Sequence, residues 1–324
     1  MLNKIAMYNT KHLHVALSSD DNYSNLVRTL LGSLFTNNKS FDFISIHLLA
    51  QKISNERIST LKSLIPSGRG ELIVYSMDNI QELLGVKVPN TISISAYSRL
   101  FLSSLLPQTI DKVIYMDVDA LVIGDFGKLW AADIDNYEIA GVLDDVSLFA
   151  KHAINLPDNA PYVNSGFLLI NLNRWRKLGM ENKILNYLVA HNGKVFHHDQ
   201  GLINKMCEQK LILPMNYNMV TNFYIFPYSN FTQQPFYSEE EFKKGLTDPI
   251  FIHFTAGVAN RPWMKNCRHP LKDLYRQYMK EAGVDDYLQN DNRPFKLKAL
   301  SFLYFNFRPL YALVIKLRSK FVER

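Results

Sequence analysis

Hydrophobic and polar positions follow two periods along the first half of the chain. Leu13–Leu17 is apolar but for His14, as in a buried strand. Leu26–Phe35 repeats its apolar residues at helical spacing, Phe43–Leu49 alternates at period two, and Glu71–Tyr75 reads as a further strand. Ile58–Ile65 predicts a helix ended by Pro66, and Ala96–Leu106 one stopped by Pro107. Lys112–Asp117 and Ile139–Leu143 are the remaining strands of this half. Strands alternating with helices predict an α/β fold, with a mostly parallel sheet covered by helices on both faces.

Beyond residue 160 the rhythm changes. Phe167–Leu172 predicts a strand, Trp175–Ala190 a helix and Gly201–Cys207 a shorter one. Ile250–Phe254 and Leu271–Ala282 follow as strand and helix. Residues 219–237 are rich in aromatics, Asn and Gln and have no clear period. They are expected to form a long ordered loop over a site, a satellite core being an equally good reading of the aromatics. No internal repeat, low-complexity segment or Gly/Ser linker divides the chain. One domain is expected over residues 1–290, with a separate tail over 291–324 hinged at the polar stretch Asp285–Arg293.

Composition sharpens this in three ways. A chain of 324 residues, 47% hydrophobic, can bury a core without staples, and only Cys207 and Cys267 are present, which suits a reducing compartment. The net charge of +6 is uneven: from Arg293 onward eight Lys and Arg residues oppose only Glu323, so this stretch carries +7 and the body −1. A nearly neutral body argues against nucleic acid as a partner. Third, residues 295–317 mix large apolar side chains with Lys296, Lys298, Arg308 and Lys316, while Asn306, Arg308 and Pro309 interrupt any spanning helix. The expectation is an amphipathic tail in the membrane interface, its basic residues on anionic head groups; packing of this helix on the body is the alternative. The N-terminus has no uninterrupted apolar run, so no export signal is read, and the expected place is the cytoplasmic face of a membrane.

The sharpest chemical feature is Asp117-Val118-Asp119 at the end of an apolar strand. Residues two apart on a strand face the same side, so both carboxylates address one spot at the edge where parallel sheets bind ligands. Paired hard carboxylates suit a divalent cation shared with phosphate oxygens; a solvated, capping turn is the structural alternative. In Ser18-Ser19-Asp20-Asp21-Asn22-Tyr23, Asp20 and Asn22 can bond a base edge and Tyr23 can stack on its ring, or the segment can simply cap the next helix. His253 at a strand end can ligate a metal or be structural; Gly257 allows close backbone approach to a phosphate, and Arg261 can neutralise one. Asn164-Ser165-Gly166 and His198-Asp199-Gln200 place small polar side chains beside tight backbone, as capping also would.

Taken together, in order and spacing, these residues resemble glycosyltransferase family 8, from about Leu13 to about Arg268. The resemblance is carried by Asp20–Tyr23, Arg99-Leu100, Val113–Asp119, Asp125 with Leu129-Trp130, Asn164–Gly166, Asn171 with Trp175, Asp199-Gln200, and His253-Phe254 with Pro262-Trp263. It lies nearest the bacterial lipopolysaccharide galactosyl- and glucosyltransferases. It implies a Rossmann-like nucleotide-diphospho-sugar transferase fold over residues 1–290. It also implies a retaining transfer of glucose or galactose from a UDP-sugar to a cell-surface glycan, with Mn²⁺ or Mg²⁺ as the metal; the tail adds the expectation of a lipid-linked acceptor. Carried over, Asp117, Asp119 and His253 would hold the metal, and Asp20 and Asn22 the uridine, with Ser18, Tyr23 and Val118 joining in donor binding. Arg99, Asp144, Asn164, Asp199 and Gln200 would line the donor sugar, Asp199 and Gln200 lying nearest the reacting carbon. Gly257 and Arg261 would sit at the diphosphate, although Arg261 stands where relatives carry lysine and the segment from His253 to Trp263 is two residues longer. The competing readings are a phosphatase built on a strand-end DxD, which Ala120-Leu121 do not suit, and a nucleotide- or glycan-binding module without catalysis.

Overall fold

A computed structural model describes residues 11–89, 93–231 and 236–322, with side chains to residue 315. The expectation of no export signal therefore falls on residues outside those described, as do part of the 219–237 segment and the last basic side chains.

The strands in chain order are β1 (His12–Asp20), β2 (Phe43–Gln51), β3 (Gly70–Ser76), β4 (Lys112–Met116), β5 (Ala120–Val122), β6 (Ile139–Leu143), β7 (Val163–Asn171), β8 (Lys210–Ile212), β9 (Met219–Val220) and β10 (Phe251–His253). Seven form one sheet in the order β3-β2-β1-β4-β7-β6-β8. The pairs from β3 to β4 are parallel, β7 runs antiparallel to both β4 and β6, and β8 is parallel to β6. The sheet is thus mostly parallel and mixed, as the alternating pattern predicts. β1, β4 and β7 are largely buried on both faces, which explains the apolar stretches at their centres. Leu13, Val15 and Leu17 pack with Leu26, Leu30 and Leu34 of the helix Ser24–Asn37 on one face. Ala16, Tyr115, Leu168 and Trp175 belong to the apolar layer on the other.

Three local expectations change. Ala96–Leu106 is not one α-helix: Ile94–Phe101 winds as a 3₁₀ helix and only Leu102–Leu105 as α. Its tighter turn is bound to the site, because Arg99 donates through Nε to its own helix at Ala96 O (2.9 Å) while its other nitrogens reach β7 and Asp117. The Trp175–Ala190 helix breaks at Gly179, whose φ of +60° is left-handed backbone. Within 219–237 the described residues contain β9, the short helix Thr221–Ile225 and a 3₁₀ turn at Tyr228–Asn230. Phe223, Phe231 and Tyr237 are buried, and Phe223 and Phe231 both pack against Phe242 at 6.0 and 5.4 Å. The aromatics of this segment therefore build a satellite core and do not form a loop over the cavity.

A small second sheet, β5-β10-β9, completes the site. β10 pairs antiparallel with β5, and His253 lies opposite Ala120, the residue that follows Asp119. At the C-terminus, the helix Phe295–Asn306 packs back on the body through Leu300 and Tyr304, and Tyr304 donates its hydroxyl to Ile225 O. The packed alternative thus holds for that face. Phe302, Phe307, Leu310 and Leu313 are exposed there and in the next helix, Arg308–Val322.

Candidate active site

β4 ends at Met116, so Asp117 stands at the carboxyl edge of the sheet beside β1 and β7. Its amide is fixed by a bond to Gly166 O of 2.8 Å. The β5–β10 pairing then brings His253 over the two carboxylates. His253 Nε2 lies 3.0 Å from Asp119 Oδ1 and 3.8 Å from Asp117 Oδ2. The three possible ligand atoms all lie within 4.8 Å of one another, a spread that one divalent ion can span. Gly166 makes room for this cluster. A β-carbon there would lie 2.2 Å from His253 Cε1 and 2.8 Å from Asp117 Oδ2. Two oxygens and one nitrogen around a cradle that excludes a methyl group fit Mn²⁺ or Mg²⁺, with further positions open to phosphate oxygens.

Arg99 is buried at the floor of the site and joins its two halves. It reaches Asp117 Oδ1 at 2.8 Å and Asp199 Oδ2 at 3.1 Å, donates to Ser165 O at 2.7 Å, and lies over the Tyr115 ring. Burying a guanidinium is costly unless its charge is matched, and two carboxylates match it here. Gln200 is locked just as firmly. Its Oε1 accepts from Ser165 N and its Nε2 donates to Asp144 Oδ2, each at 3.0 Å. Asp144 also accepts from Asn164 Nδ2 at 3.0 Å.

The electrostatics follow from this packing. Burial opposes ionisation of Asp119, but His253 and Arg261 outweigh it and pull its pKa down to about 2. Burial likewise disfavours a charged His253, and Asp119 with Asp117 reverses this and raises its pKa. Asp199 is raised by burial, only partly offset by Arg99. Arg261 Nη2 lies 3.4 Å from Asp119 Oδ2.

A cavity of about 650 Å³ opens over these residues. Of the residues expected in the site, Ser18, Asp20, Tyr23, Arg99, Asp117, Val118, Asp119, Asp199, Gln200 and Arg261 line it. His253 closes the metal cluster from behind, and Asp144 and Asn164 stand behind Gln200. Asn22 and Gly257 are outside the wall. Asn22 is exposed and its carbonyl accepts from Tyr287, while the Gly257 carbonyl accepts from Arg293 at 2.7 Å. Sequence reasoning did not single out Tyr115, Ser93, Ser95 or His197, which also line the cavity. Tyr115 was within reach, since it lies two residues before Asp117 and donates to it at 3.0 Å. The serines carry no pattern of their own.

The chain matches the family model described as glycosyl transferase family 8 over residues 14–267. It belongs to glycosyltransferase family 8. General stress protein A of Bacillus subtilis is 28% identical over 276 residues, 82% of this chain and 93% of that protein. Lipopolysaccharide 1,2-glucosyltransferase of Escherichia coli is 25% identical over 290 residues, 87% of this chain and 82% of that protein. Among solved structures, the galactosyltransferase LgtC, in complex with donor and acceptor sugar analogues, superposes with a TM-score of 0.70 at 20% identity, covering 89% of this chain and 99% of that one. That likeness shows a common mixed α/β fold. Within the family, this chain is a glycosyltransferase similar to the lipopolysaccharide sugar transferases.

Proposed function

We propose that this enzyme transfers glucose or galactose from a UDP-sugar to a surface glycan with retention, in the presence of Mn²⁺. The observation that carries the reading is the Asp117–Asp119–His253 cluster at the floor of a polar cavity, joined through Arg99 to Asp199. Asp20, with Tyr23, meets the nucleoside end, and Arg261 the diphosphate. A bound divalent ion would neutralise charge on the diphosphate as the sugar departs. Arg261 adds a second positive charge to the same oxygens, against partly buried carboxylates where such charges act strongly. Asp199 is held by Arg99, and Gln200, a poor nucleophile, by Ser165 and Asp144. This favours front-face attack, in which the acceptor hydroxyl approaches beside the leaving diphosphate and gives its proton to it. Asp199 and Gln200 then orient the sugar hydroxyls.

The tail extends the proposal to location. The basic, apolar helices from Phe295 onward suit peripheral attachment to anionic lipid at the cytoplasmic face, where a lipid-linked acceptor would be met. Among the described residues no helix is long and apolar enough to cross a membrane. The function is tested by measuring UDP release from a panel of UDP-sugars with Mn²⁺ and with EDTA. Metal-dependent release from UDP-glucose or UDP-galactose is expected; no release from any UDP-sugar would reject the enzymatic reading.

A further inference from the structure

Next to His197 of the cavity wall, Phe149 and Phe196 pack edge to face with centroids 5.5 Å apart and planes at 87°. They remain 62% and 38% exposed. They come from separate elements, Phe149 from the helix Leu148–His152 and Phe196 from the turn before the helix His198–Met206. Two large apolar rings left in water on neighbouring elements are a patch that the body does not use.

The patch is continuous with the site. Phe196 lies against the His197 ring at 4.4 Å, and His197 lines the cavity together with Asp199 and Gln200. The backbone holding Phe196 is fixed. His197 and His198 both take left-handed φ values, +57° and +54°, and Tyr162 and Tyr97 hydrogen-bond their rings at 2.9 and 3.2 Å. Gly201 is required beneath them, because a β-carbon there would lie 1.9 Å from Phe196 O. Strained backbone held this tightly beside a site is where functional geometry is expected.

We propose that Phe149 and Phe196 form the acceptor platform: a pyranose ring of the glycan lays its C–H face on one ring, meets the edge of the other, and directs its hydroxyl inward toward Asp199 and Gln200. Sugar rings offer an apolar C–H face that suits aromatic rings, while their hydroxyls need polar partners, which Asp199 and Gln200 offer in the adjoining cavity. The inference rests on the glycosyltransferase reading above and adds where the acceptor is selected.

The test is steady-state transfer by the full chain with UDP-glucose or UDP-galactose and Mn²⁺, offering a panel of methyl hexosides and disaccharides. The same panel is followed by saturation-transfer NMR on the UDP-loaded protein. At least one saccharide should show saturated ring C–H protons. Phe149→Ala and Phe196→Ala should each raise the acceptor KM about threefold to tenfold, the scale of one aromatic contact, while the donor KM stays within about twofold. Phe196→Tyr should restore the acceptor KM. If both alanine variants leave acceptor KM and NMR saturation unchanged, if no saccharide is saturated, or if the variants alter only self-association of the chain, the platform is overturned. Absence of donor turnover in the unaltered chain would instead strike the glycosyltransferase reading, so the two failures are distinguishable.

Discussion

Asp119 is shared between an imidazole at 3.0 Å and a guanidinium at 3.4 Å, and Asp117 between Arg99 and Tyr115. Charges placed this way are poor packing material and good ligands. Asp117→Ala or Asp119→Ala should therefore leave a folded protein whose transfer rate falls about 10²-fold or more, the scale of lost transition-state electrostatics. Near-normal rates in either folded variant would remove the metal assignment. Gly166→Ala tests the same cluster without touching a ligand. Its methyl group would meet His253 Cε1 at 2.2 Å, so the imidazole must move. The expected result is a stability loss of about 1–3 kcal/mol and Mn²⁺ affinity weakened roughly tenfold to a hundredfold. Unchanged Mn²⁺ titration of this variant would mean that His253 is not a ligand.

At the scale of elements, β1 and β2 carry a feature remote from the active-site edge. His14 Nδ1 meets His47 Nε2 at 3.1 Å, and His47 Nδ1 meets the Tyr75 hydroxyl at 3.1 Å. Burial, with His14 and His12 as neighbours, depresses the pKa of the fully buried His47 to about 3. The unfolded chain titrates near 6.5, so between pH 6.5 and 3 it binds a proton that the native state refuses. Stability is complete above 6.5 and falls with acidification by about 1.4 kcal/mol per pH unit from His47 alone. Urea unfolding at pH 7, 5.5 and 4.5 should give a shallower loss for His47→Leu than for the unaltered chain, although the variant starts lower because His14 and Tyr75 lose a partner. Parallel slopes would refute it. The sequence does not announce this row, because His47 joins His12 and His14 only through the β1–β2 register. The same holds for the active site. The DxD was readable from period two, and the parallel sheet from its apolar runs. The Arg99 link to Asp117 and Asp199 depends on a 3₁₀ helix whose pattern mimics an α-helix, and the closeness of His253 to Asp119 depends on a three-residue pairing with β5. Short pairings leave almost no periodic trace.

The whole molecule is one α/β body with a basic, apolar C-terminal extension. Because Leu300 and Tyr304 are buried against the body, a cut near Asp291 would expose packed surface, so the truncation should follow Asn306. The full chain should sediment with anionic vesicles, release as salt rises, and bind neutral vesicles weakly; the truncated chain should stay soluble and keep donor hydrolysis. Equal sedimentation of both would remove the tail as an anchor. The central claim is that Asp117, Asp119 and His253 hold a metal that also grips the nucleotide diphosphate. Ligand and metal must then be thermodynamically linked. The direct measurement is the melting temperature with UDP, in Mn²⁺ and in EDTA. A UDP-induced rise much larger in Mn²⁺ than in EDTA is predicted; an equal rise in both would contradict the account.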